Sequence, residues 1–209
     1  MSLTRRMALG GLLLPCLGHL AAAAAAAADP EPAAPIAALN RGLIAGMRAG
    51  KATPFTQRFN TLAPLVEGAL DIPGILQASV GPRWSALPPA QQAKLLDVFR
   101  RFTIASYVAN FDTFGGEKLD VLPDSRSVGA DQVVATQIVP SNGTPTRIDY
   151  VMRRTPAGWR AVDVLLNGSI SRVAVQRSDF RSLLASGDAG PLIQSLQRKI
   201  ADLSGGTLA

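Results

Sequence analysis

The chain has 209 residues, 47% of them apolar, 17% charged and 5% aromatic, with a single cysteine and a formal net charge of +6. That composition excludes a disordered tail, a collagen and a disulfide-stapled miniprotein, and the length suits one domain of moderate size.

The N-terminus carries Arg5 and Arg6, then an uncharged apolar stretch to Leu20, then alanine throughout 21–28. Two positive charges, an apolar segment and small residues suited to an A-x-A cut are the pattern of an export signal, not of a folded element. Cleavage is expected near Ala28, before Asp29. Thr4, Arg5 and Arg6 admit the twin-arginine (Tat) route. Ala8, where that motif prefers a bulky apolar residue, keeps the general secretory (Sec) route open beside it. Cys16 follows Pro15, a poor lipobox residue, and reads as a cysteine in a discarded segment. Cleavage removes both Cys16 and His19, so the mature chain holds neither residue type. Disulfides, Cys nucleophiles, Ser-His-Asp triads and His-based metal sites are thereby excluded. Loss of Arg5 and Arg6 leaves 19 basic residues against 15 acidic ones, a net charge of +4. No later apolar run reaches the ~18 residues of a membrane span, so a soluble protein outside the cytoplasm is expected.

Residues 29–35 read as a flexible, proline-rich leader, and 36–209 as a single domain. Ile36, Leu39, Leu43, Ile44 and Met47 form a helical stripe that Gly50 ends. Thr53 reads as the cap of a second helix with Pro54 at its first position. That helix carries Phe55, Phe59 and Leu62 on one side, with Pro64 a kink or break. A short helix follows Asp71 through Ile75, Leu76 and Val80. The strongest helical period spans 89–111, where Leu95, Leu96, Phe99, Phe102, Thr103 and Tyr107 recur at three- and four-residue steps.

After Gly115 and Gly116 the period changes to two. Strands are expected at 119–122 and 132–139, the latter with Val134, Thr136 and Ile138 on one face. Ser141, Asn142 and Gly143 signal a hairpin turn. A third strand places Ile148, Tyr150 and Met152 on one face; a fourth, 159–166, aligns Val162, Val164 and Leu166. Short connections make these an antiparallel meander. Helical pieces at 169–175, 178–185 and 191–203 close the chain. The class is α+β, an antiparallel sheet of about four strands flanked by N- and C-terminal helices.

No motif carries catalysis. Asp149, Asp163 and Asp179 are the carboxylates available for acid–base work, but no pattern pairs them, and Asp163 reads as facing solvent or capping a neighbour. Arg172, Arg177, Asp179 and Arg181 form a charged stretch that reads as a solvated helix face with Ser178 as its N-cap. Its functional reading is a basic rim that meets anionic lipid headgroups or a partner. Aromatic and basic residues do not interleave, so nucleic acid is not an expected partner.

The run Gly81-Pro-Arg-Trp, the stretch from Pro89 to Leu95, Phe99-Arg-Arg-Phe and Ser106-Tyr resemble the helical half of the toluene-tolerance/MlaC family. Gly158-Trp-Arg-Ala-Val-Asp-Val-Leu, Asn167-Gly-Ser-Ile-Ser, Gln176-Arg-Ser-Asp-Phe and the closing helix to Leu203 continue the likeness, which is nearest to the hopanoid-associated HpnM branch. Leu70 departs from it, standing where many members carry an aromatic before the aspartate. The resemblance implies a periplasmic lipid-binding protein with a strongly twisted sheet packed on helices and an apolar cavity between. It implies a phospholipid or hopanoid ligand, and as partners an inner-membrane lipid ABC transporter complex and an outer-membrane lipoprotein complex. It implies no cofactor and no metal. The sheet wall of such a cavity is expected from Thr136, Ile138, Ile148, Tyr150, Met152, Val162 and Val164, and part of the helical wall from Phe55, Phe59, Phe99, Phe102 and Tyr107. Plain core packing demands the same residue types. A non-lipid adaptor with a filled core, or a carboxylate-dependent hydrolase, are the alternatives.

Overall fold

The computed structural model describes residues 31–208. The export signal read over 1–28 lies outside them. Helix α1 spans Ala34–Ala49 with Pro35 in its first turn, where a fixed φ and a missing N–H do no harm. Ala34 and Pro35 therefore belong to the helix and not to an extended leader. Helix α2, Phe55–Ala69, runs unbroken through Pro64; Leu62 and Val66 on either side of that proline are buried and hold the helix down. Thr53 does not cap α2, because its hydroxyl donates back to the Ala49 carbonyl. Helix α3, Ile72–Val80, is capped by the Asp71 carboxylate, which accepts from the Gly74 amide at 3.1 Å. A 3-10 turn over Gly81–Ala86 leads into α4, Pro89–Asn110.

Five antiparallel strands follow in sequential order: β1 Lys118–Val128, β2 Asp131–Val139, β3 Thr146–Thr155, β4 Gly158–Leu166 and β5 Ile170–Ser171. Strand β1 is much longer than the expected 119–122. Its second half lacks an apolar alternation, and main-chain pairing of residues 125–128 with β2 extends it all the same. The pairing is interrupted between Val121 and Ser125, around Pro123, which has no N–H to give the ladder. Strand β5 and helix α5, Arg172–Leu183, replace the two expected helical pieces. Ser171, not Ser178, caps α5, accepting from the Ala174 amide at 2.9 Å. Helix α6, Gly190–Ser204, buries Leu192, Leu196 and Ile200 at four-residue spacing, packing against α4.

One irregularity matters for the site. In the β3–β4 pairing Val151 faces Asp163 and Met152 faces Ala161, so Val162 has no partner. This bulge resets the alternation: Ala161 joins Met152 and Val164 joins Tyr150 on the inner face of the sheet. Val162 falls outside the main apolar cluster, whereas Ala161 and Val164 are in or against it. The expected Val162–Val164–Leu166 face is corrected accordingly. Leu70 lies beside β4 in a parallel bridge to Ala161, with the Asp71 amide donating to the Ala161 carbonyl at 2.9 Å. The core lies between that inner face and the helices.

Candidate functional site

A cavity of about 580 Å³ lies between the inner face of the sheet and helices α4 and α5. Its deep end is formed by buried Met47, Leu70, Ile75, Phe99 and Val173. Its sheet wall is Ile138, Ile148, Tyr150, Val164 and Leu166. Helix α4 supplies Phe102, Thr103, Ser106, Tyr107 and Asn110, which with Phe99 form one face at three- and four-residue steps. Asn110, Thr113 and Arg172 are exposed and mark the mouth. Two other spaces, between α1 and β1 and beside Lys51 and Phe114, are open surface grooves with arginine in their walls.

The cavity's polar groups are mostly satisfied from within. The Thr103 and Ser106 hydroxyls donate to the Phe99 and Phe102 carbonyls one turn back, so they demand no water from the interior. The Asp163 carboxylate accepts from the Ser171 hydroxyl and from the Val173 amide at 3.1 Å, joining β4 to the start of α5. It caps a neighbour, one of its two expected roles. Glu117 accepts from the Gly115 amide at 2.7 Å. Burial pushes the Tyr107 phenol well above its ordinary value, and the facing Tyr150 phenol pushes it further, while Arg172 pulls it back. Burial also raises Tyr150. Both phenols are neutral at physiological pH. Arg172 forms no hydrogen bond or ion pair with any described residue.

Of the twelve residues expected to wall a cavity, Phe99, Phe102, Tyr107, Ile138, Ile148, Tyr150 and Val164 line this one. Five do not. Phe59 is buried in the core and Phe55 packs against it beneath the Arg58 guanidinium, 5.5 Å from the ring centre. Both sit on α2, away from the cavity. Met152 is fully buried in solid core. Thr136 turns its hydroxyl to the Ile148 carbonyl. Val162 is displaced by the bulge.

Ser106, Asn110 and Phe111 were missed, although continuing the α4 stripe by three and four residues reaches all of them. Arg172 and Gln176 stand four apart on α5 and both line the cavity. The charged stretch containing Arg172 carried that signal only as a general basic rim.

The family model for MlaC protein matches residues 38–198. The chain belongs to the MlaC family. A solved structure of similar fold, the phospholipid-binding protein from Ralstonia solanacearum in complex with a phospholipid, superposes with a TM-score of 0.71 at 21% identity, covering 84% of this chain and 99% of that one. No curated protein matches the chain. As expected from sequence, this family member is α+β with an antiparallel sheet; among the described residues that sheet has five strands, one more than the roughly four expected. Among its described residues no three potential metal-ligating side chains cluster, and no helix is long and apolar enough to cross a membrane.

Proposed function

We propose that the protein is a lipid carrier that seats the apolar part of its cargo in the cavity and leaves the headgroup at the mouth. The observation that carries this reading is a large apolar-walled space whose interior polar groups are mostly hydrogen-bonded within the protein. A filled adaptor core would not retain it. Membership of the MlaC family and the fold shared with a phospholipid-binding protein support the same reading.

The physical requirement is shielding. At about 0.8 kcal/mol per methylene, an acyl chain of ~16 carbons loses on the order of 12 kcal/mol when exposed to water. A carrier must cover nearly all of it, while a charged head is best left in solvent. Arg172, uncompensated at the rim, would favour an anionic head.

The cargo is a phospholipid or, for a member of the hopanoid-associated branch, a hopanoid. The protein works in the periplasm after cleavage near Ala28, passing lipid between an inner-membrane transporter complex and an outer-membrane lipoprotein complex. It performs no catalysis. Expression with its own leader, purification from the periplasm and native mass spectrometry test this. The expected result is an N-terminus at Asp29 and lipid adducts lost on denaturation. A bare mass that lipid vesicles also fail to load would sink the carrier reading.

A further inference from the structure

We infer that Tyr107 and Tyr150 form a specificity element that hydrogen-bonds an ester carbonyl of the cargo just inside the mouth, so that the protein selects acyl-ester lipids over ether-linked ones. This rests on the lipid-carrier reading and names the linkage chemistry that its cavity prefers.

The first ground is a count of hydrogens. The two hydroxyls, one from α4 and one from β3, face each other in the cavity within hydrogen-bonding reach. Neither bonds to any other described residue. Each phenol carries one hydrogen and can both donate and accept. Of the pair's two hydrogens, one suffices for the bond between them. The other has no protein acceptor in an apolar-walled space, where a donor without a partner is costly. Burial keeps both phenols protonated, so that hydrogen stays in place. The neighbouring hydroxyls of Thr103 and Ser106 differ, because they donate to carbonyls of their own helix.

The second ground is depth. Tyr107 stands one turn of α4 before the exposed Asn110, about 4–5 Å along the helix axis. Tyr150 keeps only 5% of its surface exposed. That level is too enclosed for a charged phosphate, which Arg172 at the mouth serves better. It suits a neutral acceptor placed between a charged head and an apolar chain. In an ester lipid the carbonyl oxygen is that acceptor, and an ether-linked lipid with the same head and chains lacks it.

The third ground is rigidity. The Tyr107 ring stacks on Phe111, with ring centres 6.1 Å apart and planes 14° from parallel. Tyr150 sits on the middle strand of the sheet, paired with Val134 on one side and Val164 on the other. The donor is therefore fixed before cargo arrives, and little ordering offsets the bond it forms.

The test is a competition on the exported protein stripped of co-purified lipid. Vesicles containing dipalmitoyl phosphatidylglycerol and its ether analogue, dihexadecyl phosphatidylglycerol, in equal amounts are offered, and adducts are read by native mass spectrometry. One net hydrogen bond between neutral groups corresponds to a preference for the ester lipid of about three- to ten-fold. Tyr107→Phe combined with Tyr150→Phe should bring the ratio to parity. Equal loading of the two lipids by the unaltered protein, or an unchanged preference in a folded double variant, would overturn the inference and leave the carrier reading standing. Failure of both lipids to load would overturn both.

If circular dichroism shows the double variant unfolded, infrared spectra of carbonyl-labelled dipalmitoyl phosphatidylglycerol bound to the unaltered protein decide the matter. The ester band should lie at lower wavenumber than for the same lipid in dry alkane. A band at the alkane position would refute the contact.

Discussion

The layer between sheet and helices has two halves made of the same residue types. Around Met152 it is solid: Leu62, Val66, Leu95 and Met152 keep no more than 2% of their surface exposed. Two residues back along the same strand face, Tyr150 looks into an open cavity beside half-buried Ile148 and Val164. The difference is what arrives from above. At the Met152 end the α2–α3 connection comes down onto the sheet, bridging Leu70 to Ala161. At the Tyr150 end α4 stops at Asn110 and α5 starts only at Arg172. No side chain fills the gap between them. Apolar residues make both halves; chain path decides which one stays hollow.

That contrast can be broken most forcefully in the solid half. Leu95→Ala should cost about 2–5 kcal/mol in urea unfolding, with lipid loading per folded molecule unchanged. Ile148→Ala, at a wall that already faces empty space, should cost less than half as much and reduce lipid loading. Equal costs would erase the distinction between the halves.

The bulge gives a sharper comparison. Val164→Asp places a charge on the cavity wall, where it lacks a partner; lipid adducts should fall about ten-fold or more, a change worth roughly 1.4 kcal/mol. Val162→Asp, two residues away and outside the inner face, should leave loading within about two-fold. A reversed order would put the alternation back where the sequence suggested it.

Removing a cap should act more mildly. Asp163→Ala takes the acceptor from the Ser171 hydroxyl and the Val173 amide, and should destabilise the fold by about 1 kcal/mol, read by urea unfolding. At the rim, Arg172→Ala should weaken retention of an anionic lipid about two- to five-fold, an effect that added salt diminishes.

Alkaline titration probes the cavity's phenols. Tyr107 and Tyr150 keep their protons in the folded state, whereas unfolded phenols ionise near pH ~10. Above that pH the unfolded chain therefore binds fewer protons, and stability falls as pH rises. Replacing both tyrosines by phenylalanine should flatten this fall in urea unfolding measured between neutral and strongly alkaline pH.

Much of the fold was legible because its signals are local. The stripe from Leu95 to Tyr107 gave α4, and the change to a two-residue period gave the sheet. The site was less so. Phe55 and Phe59 have the composition of a cavity wall, yet α2 packs them at the solid half. Val162 obeys the alternation of a regular strand, and one unpartnered residue in β4 moves it off the face. The length of β1 was hidden because backbone pairing alone sustains residues 125–128. These are tertiary facts that spacing along the chain does not encode.

The interruption in β1 has a further consequence, for solubility. β1 is an edge of the sheet, and a long regular edge invites another molecule to add a strand. Pro123 breaks that template half-way along, and the exposed Asp124 beside it adds a charge at the break. The interrupted edge offers a second copy no continuous ladder to extend.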